Sequence, residues 1–136
     1  EIRRLLDRFV KESQNKIDVE KYLRMCEQFN IEPDPAKMPL EASVFPSEVQ
    51  VAFFVFDLLP DRWDGMSGMY MGKDWSSMEF LLNLYQIDER RDTVLFAKMY
   101  ETILVNARAE ELQKQRKEEE RKAKAQAGSK TRRVSG

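Results

Sequence analysis

The chain has 136 residues, with 23 Lys and Arg against 24 Asp and Glu, no histidine and one cysteine. That length suits one domain of ordinary size or a smaller domain with an appended segment. The inventory excludes a Ser-His-Asp or Cys-His catalytic constellation, a histidine-bearing zinc site and an internal disulfide.

Apolar residues at 42% permit a core, while charged residues at 35% exceed the usual quarter. The near-zero net charge conceals an uneven layout. Residues 1–107 carry 13 basic and 19 acidic side chains, a balance of −6, and residues 108–136 carry 10 and 5, a balance of +5. The composition shift therefore predicts an acidic helical body over 1–107 and a charged helix with a flexible basic tail over 108–136. No apolar run approaches the roughly 20 residues that cross a bilayer, and the opening Glu1-Ile-Arg-Arg-Leu-Leu is not laid out as a secretory signal.

The elements predicted in chain order are helical. Ile2, Leu5, Leu6, Phe9 and Val10 form an apolar stripe at helix spacing. A second helix opens on Asp18, whose carboxylate suits the N-cap, with Ile17 and Tyr22 placed as a hydrophobic staple. Val19, Tyr22, Leu23, Cys26 and Phe29 are its expected buried face, so Cys26 reads as a buried, inert thiol. Residues 30–46 hold four of the five prolines and read as an ordered strap, anchored by Met38, Leu40, Val44 and Phe45. The segment 46–59 is apolar nearly all round. Its opening proline and lack of a period of two favour a central helix over a strand.

Residues 61–75 hold three of the five glycines, both tryptophans and three of the seven methionines. They match no phosphate loop: only three residues separate Gly68 from Gly72, and Asp74 stands where the hydroxyl should be. The spacing of Gly65, Gly68 and Gly72 also fails the dinucleotide pattern. Asp57, Asp61, Asp64 and Asp74 could be a carboxylate metal or catalytic cluster. Helix capping and local salt bridges with Arg62 and Lys73 account for them more simply. Trp63, Met66, Met69, Tyr70, Met71 and Trp75 read as core lining, as adaptable partner contacts, or as both. A capping box at Ser76 and Glu79, with Trp75 and Phe80 as its staple, predicts a short helix ending near Gln86. Asp88 is the expected cap of a last helix whose stripe runs from Leu95 to Ala107. Its charged extension carries Glu110–Lys114, Glu118–Lys122 and Glu120–Lys124 pairs until Gly128 and Ser129 release it. In the basic tail, Lys130, Arg132 and Arg133 are the candidates for phosphate, without an interleaved aromatic for base stacking.

The stretches Glu32–Pro39, Phe45–Gln50 and Asp61–Ser76 resemble small helical proteins of tailed bacteriophages, most closely tail-assembly chaperones and related virion-assembly proteins. The resemblance covers about residues 17–105. It implies a phage structural or tape-measure-like partner and the cytoplasm of an infected host cell, with no catalytic residue to carry over. The combined expectation is an all-α, non-enzymatic assembly protein that takes no cofactor or metal and avoids the membrane. It would bind partners, or a second copy, through Trp63, Met66, Met69, Tyr70, Met71 and Trp75. The alternative is a nucleic-acid-associated factor using the basic tail, against which the acidic body argues.

Overall fold

The computed structural model describes residues 1–15 and 18–134, with side chains through residue 129. Helices dominate: α1 (Ile2–Gln14), α2 (Val19–Gln28), α3 (Ser47–Leu58), α4 (Met78–Leu84) and α5 (Arg90–Val134). A short 3-10 turn lies at Ala42–Val44. The expectation of a purely α-helical protein needs one correction. Between α3 and α4 stand two antiparallel strands, β1 (Asp61–Trp63) and β2 (Tyr70–Lys73).

The core forms where α3 packs along the first half of α5. Val55, Phe56, Leu59, Met78, Leu82 and Ala97 are buried together, with Trp75 and Tyr100 against them. Leu6, Phe45 and Val49 form a second cluster, closed by Phe9, Phe53 and Met99. Tyr100 joins the two, with edge contacts to Phe53 and Phe56 at 5.0 Å each. Such edge-to-face geometry places the positive ring edge over a negative face. The nearly continuous apolarity of α3 is thus used on two sides, although Phe54 and Leu58 stay exposed.

Residues 30–46 are a strap, as expected. The guanidinium of Arg8 donates to the carbonyls of Met38 (2.7 Å) and Ala36 (3.3 Å), and the carboxylate of Glu12 accepts from the Leu40 amide at 2.6 Å. Proline leaves this segment short of its own backbone ladder, so side chains of α1 supply partners instead. Phe45 is buried and Val44, expected as another anchor, is exposed.

Asp18 caps α2 through the Lys21 amide at 2.8 Å. Its proposed staple partner Ile17 lies outside the described residues. Cys26 is buried, but Leu23 and Phe29 are exposed, contrary to the expected buried face. A stripe at helix spacing is covered only where another element meets it, and α2 meets little.

The box at Ser76 and Glu79 does not form. Asp74 accepts from both the amide and the hydroxyl of Ser76, and α4 starts at Met78 with Ser77 in the cap position. Phe80 faces solvent while Trp75 packs against the core. Helix α5 opens at Arg90, so Glu89 rather than Asp88 stands in its capping position. Its 45 residues extend for about 67 Å and pass through Gly128 and Ser129, where a release was expected. The 107/108 composition boundary falls inside this uninterrupted helix. Every described side chain from Gln113 to Ser129 is exposed. Of the three expected i,i+4 pairs, Glu120–Lys124 is within salt-bridge range, at 3.9 Å. Among the described residues, no helix is long and apolar enough to cross a membrane.

Candidate partner-binding site

The two strands form a hairpin whose turn is built by Asp64. Its carboxylate accepts from the Ser67 amide (3.2 Å) and hydroxyl, its amide donates to the Met69 carbonyl at 2.8 Å, and its carbonyl accepts from Gly68 N–H at 2.9 Å. Gly68 has φ +71, a conformation glycine adopts without penalty. The ladder pairs Asp61 with Lys73, Arg62 with Gly72 and Trp63 with Tyr70, and Met71 is the extra residue of a bulge. A bulge bends its strand and re-aims side chains. Tyr70 and Gly72 face inward, and Met71 points out.

One carboxylate fastens this hairpin to α5. Glu101, only 7% exposed, accepts on Oε2 from the Lys73 amide (2.9 Å) and the Trp75 indole (2.6 Å), and on Oε1 from the Lys98 ammonium (2.9 Å). Gly72 makes the approach possible. A Cβ there would lie 2.9 Å from the Glu101 carboxyl carbon, and the backbone has φ +96.

Lys73 has a second set of contacts. Its Nζ donates to the Leu59 carbonyl at 3.0 Å, pairs with Asp61 at 3.0 Å and lies 5.0 Å from the Phe56 ring centre. The Tyr70 hydroxyl donates to Asp61 at 3.0 Å, and Arg108 stacks 4.2 Å from the Tyr70 ring centre. Arg116 donates to the Ser67 carbonyl. Basic residues assigned by composition to the tail therefore close over the hairpin.

The electrostatics follow from these partners. Burial pulls the Glu101 carboxyl upward, but the Lys73 amide, the Trp75 indole and Lys98 outweigh it and hold it below the usual carboxylate range. For Asp61, burial likewise pushes up and Lys73, Tyr70 and Arg108 prevail downward. Burial and the Asp61 hydrogen bond push the Tyr70 phenol well up. Depressed carboxylates contribute stability that is present above their unfolded pKa and lost as pH falls through the folded value. Thermal stability should thus be level between pH 7 and about 5 and should fall below about pH 4. Melting curves across that range should show a smaller acid loss in Glu101→Gln than in the wild type.

The structure separates the six apolar candidates. Met66 at the hairpin tip is 99% exposed, Trp63 is 58% exposed and Met71 is similarly open. Tyr70 is buried, and Met69 and Trp75 are half-buried. The first three can touch a partner, whereas Tyr70 and Trp75 hold the hairpin to the body. Beside Trp63 runs a groove of about 480 Å³, whose lining includes Tyr70, Arg108, Leu112 and Gln115. Arg108 lies 5.7 Å from the Trp63 ring centre, so the aromatic is pre-positioned from below.

The four clustered aspartates have separate roles. Asp61 pairs with Lys73, Asp64 closes the turn, Asp74 binds Ser76, and Asp57 lies on the exposed side of α3. Among the described residues, no three Asp, Glu, Cys or His side chains converge as a metal site requires. The side chains of Lys130, Arg132 and Arg133 lie outside the described residues.

Glu101 was missed from sequence. Its signal is an acid interrupting the row Thr93, Ala97, Glu101, Leu104, Arg108, which faces the core and hairpin at helix spacing.

No protein-family model, curated protein or solved structure matches this chain.

Proposed function

We propose that this chain is a non-catalytic protein-binding factor of phage virion assembly, covering apolar surface on a tail component as tail-assembly chaperones do. The observation that carries the binding reading is the hairpin: Trp63, Met66 and Met71 are displayed on a short, twice-fastened element rather than on a free loop. Large exposed apolar side chains mark interaction surfaces when they gather on one feature. Trp and Met supply contact area at such surfaces. Fixing them in advance reduces the ordering cost of association. Three of the four candidate carboxylates, Asp61, Asp64 and Asp74, are engaged in strand, turn and Ser76 contacts, which supports a binding role over an enzymatic one. The phage setting rests on the resemblance of residues 32–39, 45–50 and 61–76.

The test is capture of a tail component from phage-infected cells by the full chain and by a Trp63→Ala/Met66→Ala variant. Both side chains are exposed, so the variant should melt within a few degrees of the wild type. Capture should weaken at least tenfold, the scale of losing one interface anchor. Undiminished capture by the folded variant would refute the assignment.

A further inference from the structure

A second surface, argued separately from the hairpin reading and meeting the hairpin's anchor through Lys98, runs along another face of α5. Arg91, Leu95, Lys98, Thr102 and Asn106 form an exposed row at helix spacing along α5. Two connected troughs follow this row, of about 330 Å³ and 520 Å³, and share Leu95 and Lys98. Their floor is Val94, Leu95, Met99 and Ile103, and Leu95 is 55% exposed.

The charges around that floor are of one sign. Arg3 from α1 and Arg90, Arg91 and Lys98 from α5 line the troughs, and no carboxylate does. This occurs on a body whose overall balance is −6. Among the described residues Lys98 is bonded to Glu101, whereas Arg3 and Arg91 enter no salt bridge. An apolar floor beside two basic side chains, Arg3 and Arg91, that enter no salt bridge among the described residues is complementary to a ligand that is apolar along its centre and acidic along its edge.

We propose that this trough docks an acidic amphipathic helix of a partner protein. The occupant's apolar residues, one turn apart, would cover Leu95 and Met99 while its carboxylates meet Arg3 and Arg91. The row from Arg91 to Asn106 spans about 22 Å, which matches a ligand helix of about four turns. Burial over the floor supplies the attraction common to all helix-in-groove recognition. The basic rim sets partner choice, because a basic helix on the same floor would face like charges.

The experiment is fluorescence anisotropy with a labelled 15-residue amphipathic peptide, Leu on one face and Glu on its flanks, and a twin carrying Lys in place of Glu. Both are titrated with the full chain and its variants. The wild type should bind the Glu peptide at least tenfold tighter than the Lys peptide. Arg3→Glu/Arg91→Glu should reverse that order, and Leu95→Asn should weaken Glu-peptide binding at least fivefold. Trp63→Ala/Met66→Ala should change none of these, which separates this surface from the hairpin. Equal binding of the two peptides, or no saturation by the Glu peptide, would overturn the proposal. So would a Glu-peptide affinity that falls with Arg3→Glu/Arg91→Glu but is indifferent to Leu95→Asn, the signature of a generic polyanion site. Sedimentation showing a wild-type dimer dispersed by Leu95→Asn would assign the trough to a second copy and equally defeat it.

Discussion

Glu101→Ala should destabilise the chain by about 2–4 kcal/mol, a larger effect than any exposed carboxylate should show. The loss has two parts. The substitution removes an acceptor that satisfies the Lys73 amide, the Trp75 indole and the Lys98 ammonium. It also leaves the first two donors short of water, and a stranded buried donor costs about 1–3 kcal/mol. Glu101→Gln retains an acceptor oxygen and should cost less than the alanine. For a chain of this length the alanine change corresponds to a fall in melting temperature of roughly 10 °C. Asp57→Ala, on the exposed side of α3, should stay within about 0.5 kcal/mol. Comparable losses at the two positions, measured by denaturant unfolding, would remove Glu101 from its assigned role.

The second large effect belongs to Phe56. It is essentially inaccessible, makes an edge contact with Tyr100 at 5.0 Å and supports the Lys73 ammonium at the same distance. Phe56→Ala should cost about 3–5 kcal/mol, because the transfer energy is lost and the surrounding helices cannot fully collapse into the space. Phe54→Ala, two residues away on the same helix but on its exposed side, should cost about 1 kcal/mol or less. The contrast tests the orientation of α3, which the sequence left open because both faces are apolar. Equal costs at the two positions would mean that the helix is rotated or buried all round.

What could be read in advance follows the range of the signals. Helix α1, the Asp18 cap, the strap and α3 announce themselves through local patterns, and each stands where expected. The hairpin did not, because strands of three and four residues with a bulge show no sustained alternation. Its cohesion comes from Asp64, a local turn former, and from Glu101, which lies 28 residues beyond Lys73. Sequence spacing cannot pair those two. The same limit explains Trp75: a staple with Phe80 was the nearest local partner, but a buried carboxylate offered its indole N–H a better one. The run through Gly128 illustrates a different effect. A glycine weakens a helix by only about 1 kcal/mol, and favourable neighbours can carry the helix through it.

The hairpin can present its apolar side chains as a rigid platform only while it is held to α5. Native-state amide hydrogen exchange at Lys73 tests this most directly, because that N–H is bonded to the Glu101 carboxylate rather than only to a neighbouring strand. The prediction is protection at Lys73 close to that of Ala97, buried in the third turn of α5, falling at least tenfold in Glu101→Ala while Ala97 stays the slower of the two. Exchange at wild-type Lys73 as fast as at the exposed Glu32 of the strap would contradict it.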